Sequence, residues 1–188
     1  MSEVLWRRLR YMLTPQFDIY ESIGKKLTFA DVIDVGCGTG FGTLQLVRNY
    51  NRVTGVDIDA DAIKFAVKCI PNVLFKVEDI THPIEKKYNV AVMIEVLEHI
   101  SDWDAALTNV CDALKDYGEL YISARNANAD LRKNDLHERE WSAEQFGAAL
   151  RKYFEDVKLY DYTLTEEQEE TTRMTPLVAI AQKPRRKK

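Results

Sequence analysis

One stretch constrains this chain more than any other: Val32-Ile33-Asp34-Val35-Gly36-Cys37-Gly38-Thr39-Gly40. The apolar run from Val32 to Val35 reads as a buried parallel strand. Three glycines at alternate positions follow it. Glycine turns the backbone sharply and leaves no Cβ in the path of a ligand. A helical pattern over 41–50 comes next, with Leu44, Leu46 and Val47 as its packing side. Strand, glycine turn and helix together form the opening of a nucleotide-type site, where main-chain N–H groups meet a polar ligand. The alternative is a tight strand-to-helix turn with no ligand. A dinucleotide fingerprint requires glycine at the sixth position of its motif; counted from Gly36, that position holds Phe41. Asp34 stands two residues before the first glycine. A carboxylate there suits ligand amino groups and does not suit a pyrophosphate.

The rest of the chain is compatible with one domain around such a site. A length of 188 residues allows a sizeable core. Composition is 46% hydrophobic and 30% charged, ordinary for a globular protein. A net charge of −4 gives no global field toward nucleic acid. The basic stretch 184–188 reads as a disordered solvated tail, with an RNA or membrane contact as the other reading. Cys37, Cys69 and Cys111 are widely spaced, so neither a zinc knuckle nor a disulfide framework is indicated. A reducing, cytoplasmic setting is expected. No run is long enough to span a membrane, and the N-terminus, with Arg7, Arg8 and Arg10 inside its apolar pattern, is not a signal peptide.

Taken in order, 2–13 reads as an amphipathic helix ended by Pro15. A second helix is expected over 18–27, with Ile19, Tyr20, Ile23 and Leu27 inward. Aromatic Tyr11, Phe17 and Tyr20 serve either as core or as a cover over the site. A second strand, 52–59, carries Asp57 at its tip, followed by a helix opened by Asp59. A third strand over 73–80 ends in Glu78-Asp79-Ile80. The fourth starts at Tyr88 and leads into Glu95-Val96-Leu97-Glu98-His99-Ile100. Ser101, with Asp104 three residues on, is expected to cap a helix that Gly118 closes. A fifth strand, 119–124, precedes the polar loop 125–139. Ser142 and Gln145 form a capping box for the next helix. Two strands, 157–162 and 177–181, finish the chain, separated by an acidic loop over 163–175. Alternating strands and helices predict a parallel sheet with helices on both faces, and the last pair predicts an antiparallel edge.

The block VIDVGCGTG resembles the first motif of class I S-adenosylmethionine-dependent methyltransferases, and the likeness in element order covers about residues 29–183. It implies an α/β fold: a Rossmann-like, doubly wound, three-layer α/β/α arrangement with a seven-stranded, mostly parallel sheet and an antiparallel C-terminal hairpin. Residues 1–28 become a helical lead-in or a lid over cofactor or substrate. The resemblance implies S-adenosylmethionine as cofactor, contacted by Asp34, Gly36, Cys37, Gly38, Gly40, Asp57, Ile58, Asp79, Ile80 and Glu95. Asp57 would accept from both ribose hydroxyls, and Ile58 would lie against the adenine. Asp79 would accept from the adenine amino group, with Ile80 packing beside it.

The segment from Glu95 to His99 is similar to the E-V-x-E-H segment of ubiquinone-pathway O-methyltransferases and of small-RNA terminal 2′-O-methyltransferases. In the latter a later H-x-x-E-W-[ST] segment supplies another metal-ligating histidine, matched here by His137, Glu140, Trp141 and Ser142. The resemblance therefore implies two uses of these residues. His99 and His137 act without metal as base or acceptor contacts, or Glu95, Glu98, His99 and His137 hold Mg or another divalent cation. The turn after the fourth strand is not of the N/D-P-P-Y/F type, so a base amine or a glutamine amide is not the expected acceptor. The leading expectation is an O-methyltransferase acting on a small molecule or a sugar-like hydroxyl. A metal-assisted 2′-O-methyltransferase of RNA ends and a non-catalytic cofactor-binding partner subunit are the competing ones. No membrane partner is expected, and the sequence assigns no oligomeric state.

Overall fold

The computed structural model describes residues 12–128, 139–168 and 176–185. The expected helix over 2–13 falls almost entirely outside them, as do His137, most of the acidic loop and the last three residues. The described chain runs α1 (Pro15–Lys26), β1 (Asp31–Val35), α2 (Thr43–Leu46), β2 (Arg52–Asp57), α3 (Ala60–Cys69), β3 (Leu74–Val77) and β4 (Tyr88–Ile94). It continues through α4 (Trp103–Ala113), β5 (Leu114–Ala124), α5 (Ala143–Arg151), β6 (Phe154–Tyr160), β7 (Glu167–Gln168) and β8 (Leu177–Pro184). One sheet holds every strand of the described residues, in the order β3-β2-β1-β4-β5-β8-β6-β7. The first five strands pair in parallel, and β8 runs antiparallel to both β5 and β6. The sheet is thus the doubly wound one the sequence predicts, with eight strands rather than seven. The extra strand, β7, is two residues on the β6 edge, inside the segment read as loop.

Both faces of the sheet are covered, which explains why β1 and β4 are near-continuous apolar runs. Ile33, Val35, Ala91 and Met93 face α4 and α5, where Leu107, Phe146 and Leu150 are fully buried. Val32, Val90, Val92 and Ile94 face α1 through Ile19, Tyr20 and Ile23. Burying each such side chain contributes about 1.5–3 kcal/mol. Helix α3 and Phe75 form a smaller third cluster with Cys37.

Several local expectations are corrected by contacts distant in sequence. The helix after the glycine turn is one short piece, α2, followed by a 3₁₀ turn at Arg48–Tyr50. Asn49 sits there at φ 55°, and its amide donates to the carbonyls of Gly24 and Leu27. Asp102, not Ser101, caps α4, accepting from the Ala105 N–H at 3.1 Å. That helix ends at Ala113 and the chain enters β5 directly, so Gly118 lies inside a strand. Strand β6 starts at Phe154, and β8 runs through Pro184, one residue into the stretch read as a tail. The capping box of Ser142 and Gln145 is formed as expected, and Asp59 caps α3.

Candidate active site

A cavity of about 630 Å³ opens where the parallel strands end, lined by Val35, Gly36, Val56, Asp57, Ile58 and the segment 78–81 on one side. Glu95, Val96 and the segment 99–102 form its other side. This is the crevice position at which open α/β sheets bind ligands.

The glycine turn builds the first wall. All three glycines have positive φ, where side-chain-bearing residues are strained. Their surroundings give them different tasks. A Cβ on Gly36 would come within 2.3 Å of Val96 Cγ2, so Gly36 lets β1 and the turn after β4 meet. A Cβ on Gly40 would strike Ile70 and Phe75, an interior contact. A Cβ on Gly38 would meet nothing within 4 Å. The Gly38 N–H donates to Asp57 Oδ2 at 2.7 Å, and the Asp59 N–H donates to Asp57 Oδ1 at 2.9 Å. Asp57 is therefore oriented by two backbone groups rather than left free, and each oxygen keeps a lone pair for a ligand hydroxyl. Next to it Ile58 is 70% exposed, an apolar ledge at the mouth of the cavity. The braced carboxylate and the apolar ledge fit an adenosyl group.

Asp79 lies on the rim, its Oδ1 accepting from the N–H and the hydroxyl of Thr81. The Thr81 N–H holds its carboxyl below the usual range. Ile80 is buried behind it. Asp34, Cys37, Gly38 and Gly40, expected to touch the cofactor, do not line the cavity. Asp34 is fully buried, accepting from the Tyr20 hydroxyl at 2.7 Å and the Thr43 hydroxyl at 2.6 Å. Burial pushes its carboxyl up to about 7 against the pull of Thr43 and Tyr20. Cys37 is buried against Phe75 in the α3 cluster, and burial raises its thiol.

The second wall comes from the turn after β4. Glu95 has φ 56°, a strained conformation for a glutamate. Its N–H donates to Ser123 Oγ at 3.0 Å, and the Ser123 hydroxyl reaches Glu95 Oε1 at 3.3 Å. Burial, then the charge of Glu98, pushes the Glu95 carboxyl up to about 7. His99 is on the cavity wall and exposed. Glu98 points elsewhere. It is 0% exposed, does not line the cavity, and neither carboxylate oxygen has a hydrogen-bond partner of normal geometry. Burial pushes it up to about 7, and the facing N–H groups of Glu98 and Arg125 offset only part of that.

The segment 139–142 closes over Glu98. The Arg139 N–H donates to the Glu98 carbonyl at 3.3 Å, and the Ala127 N–H to the Trp141 carbonyl at 2.8 Å. Trp141 is buried edge-on to Trp103, with the Arg139 guanidinium 4.7 Å above its ring. Glu140 pairs with Arg125 at 3.3 Å. Glu140, Trp141 and Ser142 thus have structural tasks, while His137 lies outside the described residues. Among the described residues no group of three His, Cys, Asp or Glu side chains could hold a metal ion. The structure brings together Gly36, Asp57, Ile58, Asp79, Ile80, Glu95 and His99. It adds Ser123 and Thr43, which sequence reasoning did not assign, and puts Tyr20, read as core or as a cover over the site, in the core against Asp34. Ser123 had a signal, a polar residue at the C-terminal end of a buried strand; the pairing of Tyr20 with Asp34 had none. No helix of the described residues is long and apolar enough to cross a membrane.

Comparison with known proteins agrees with this geometry. Residues 6–162 match the model of a methyltransferase domain family. The 235L protein of Invertebrate iridescent virus 6, named as a methyltransferase, is 39% identical over 97 residues, 50% of this chain and 36% of its own length. The human mitochondrial ubiquinone biosynthesis O-methyltransferase is 34% identical over 113 residues, 55% of this chain and 31% of its own. The chain thus spans only about a third of these curated relatives. A solved TehB-like S-adenosylmethionine-dependent methyltransferase from Corynebacterium glutamicum shares the fold, with a TM-score of 0.72 and 21% identity over 95% of this chain and 94% of that one. The chain belongs to the methyltransferase domain family, and its fold is that of the class I S-adenosylmethionine-dependent enzymes.

Proposed function

We propose that this methyltransferase domain moves the methyl group of S-adenosylmethionine to a hydroxyl of a small-molecule or sugar-like acceptor. The observation that carries the reading is one cavity with two unlike walls. One wall is the braced Asp57 with the apolar Ile58, and the other is His99 beside Glu95. Its volume of about 630 Å³ is in the range of small-molecule sites.

Asp57 accepts the ribose hydroxyls, Ile58 and Ile80 flank the adenine, and Asp79 accepts its amino group. Gly38, bonded to Asp57, leaves open space where a Cβ would stand. The bound cofactor supplies a methyl already activated by its sulfonium charge. The protein's task is then to align the nucleophile and exclude water. His99 takes the acceptor's proton as the new C–O bond forms. Glu95, held by Ser123, fixes the wall between the two ligands. The O-methyltransferase among the relatives supports a hydroxyl acceptor. The cavity wall offers Asp57, Glu78, Asp79, Glu95 and Asp102 and no lysine or arginine among the described residues, which favours a neutral acceptor over a polyphosphate RNA end.

Calorimetry with S-adenosylhomocysteine, repeated on Asp57→Ala and with magnesium, tests the reading. Micromolar binding is expected for the wild type, weakened by more than about tenfold in Asp57→Ala through loss of hydrogen bonds to a charged group. Wild-type protein that binds neither cofactor nor product removes the reading. Methyl transfer lost in His99→Ala, with binding kept, separates an enzyme from a partner subunit that only binds.

A further inference from the structure

Helix α1 enters the cofactor wall at one point. The Tyr20 ring packs against Gly42, so close that a Cβ there would sit 2.6 Å from Tyr20 Cε2. Its hydroxyl goes on to Asp34 Oδ1 at 2.7 Å. The other oxygen, Oδ2, takes the Thr43 hydroxyl at 2.6 Å. Asp34 is the penultimate residue of β1 and Thr43 the first of α2. The carboxylate therefore clamps both arms of the glycine turn, and the third member of the clamp comes from a helix outside the motif. All three side chains are buried, so nothing in water replaces the tyrosine hydroxyl.

We infer that Tyr20 is a positioning residue for the cofactor: through Asp34 and Thr43 it holds the glycine turn in the shape that binds S-adenosylmethionine, and so ties the lead-in helix to the cofactor site. The inference rests on the cofactor reading above. It assigns Asp34 a task different from direct contact with a ligand amino group. A buried carboxylate accepting two hydroxyls is a stiff joint, because removing either donor leaves an oxygen unpaired at the full desolvation cost. The groups facing Asp34 are Tyr20 from α1, Thr43 from α2, the like charge of Asp57 from β2 and the Cys37 thiol of the glycine turn. Loss of the tyrosine hydroxyl removes a bond to the ionised form, so proton release from Asp34 moves to higher pH.

The test is S-adenosylhomocysteine binding from pH 6 to 9, on wild type, Tyr20→Phe and Ile19→Val, with thermal unfolding of each. Phenylalanine keeps the ring against Gly42 and deletes only the hydroxyl. Ile19→Val is a packing change in the same helix, fully buried in the wild type. Tyr20→Phe is expected to bind about fivefold more weakly, the worth of one buried hydrogen bond, with its affinity profile displaced to higher pH. Ile19→Val is expected to unfold at lower temperature and bind as wild type does. Equal affinity and an unmoved profile in Tyr20→Phe overturn the inference, as does equal weakening in Ile19→Val. Wild-type protein that does not bind overturns the cofactor reading instead, so the two failures are distinguishable.

Discussion

The two walls of the cavity are held in opposite ways. On the cofactor side every carboxylate has assigned donors. Asp57 takes two backbone N–H groups, Asp59 caps α3, and Asp34 takes two hydroxyls. On the other side Glu95 sits on strained backbone, and behind it Glu98 is buried with no hydrogen-bond partner of normal geometry among the described residues. The first wall is preorganised by local backbone geometry. The second stores backbone strain in front of a buried carboxyl, features that persist only where surrounding structure enforces them. A cofactor common to many reactions suits a rigid cradle, and an acceptor specific to one reaction is served by groups whose protonation is still adjustable.

The largest expected effect breaks the cradle itself. Gly36→Ala combines a positive φ with a Cβ 2.3 Å from Val96, and should cost about 2–4 kcal/mol of stability by thermal or urea unfolding. Gly38→Ala sharpens the comparison, because its Cβ meets nothing. It should cost only about 1–2 kcal/mol of stability while product binding falls sharply. Unchanged binding in Gly38→Ala would mean that the ligand does not pass over the turn.

A smaller effect tests, by pH, the carboxyl buried behind that second wall. The folded-state Glu98 carboxyl keeps its proton up to about pH 7, against an ordinary value of 4.5. The folded state thus binds more protons than the unfolded chain between these values. Its contribution to stability is complete at low pH and is lost as pH rises toward 7. Asp34 and Glu95, also pushed up to about 7, act in the same direction. Glu98→Gln removes one such group. Its stability relative to wild type should improve by about 2 kcal/mol between pH 5 and pH 8, read by urea unfolding across that range. A constant difference would show that Glu98 is ionised throughout. The smallest effect lies outside both walls. Ser142→Ala removes one half of a capping box and should cost about 1 kcal/mol, with product binding unchanged.

Of the residues read as cofactor contacts, Asp34, Cys37, Gly38 and Gly40 do not line the cavity, while Gly36, Asp57, Ile58, Asp79, Ile80 and Glu95 do, and the signals for the turn and strand tips that carry them are local. Glycine spacing, a carboxylate at the tip of β2 and an Asp cap at α3 all lie within a few residues of what they organise. The acceptor wall was half legible. Glu95 and His99 were placed on the cavity, but Glu98, read from the same short segment, turned inward. A residue in a tight turn faces cavity or core according to what packs over it, and here that cover is the distant segment 139–142.

The sequence by itself determined the order of strands and helices, the parallel sheet and the glycine turn, since hydrophobic period and glycine placement act over neighbouring residues. Only the tertiary structure decided that Asp34 belongs to Tyr20 and Thr43 rather than to a ligand. It likewise decided that Asp57 is braced by Gly38, that the helix after the turn stops at Leu46 before the bend that Asn49 holds, and that an eighth strand forms on the β6 edge. Each of these is a hydrogen bond whose donor and acceptor come from different elements, and no local pattern records which distant group will arrive to satisfy a buried polar atom.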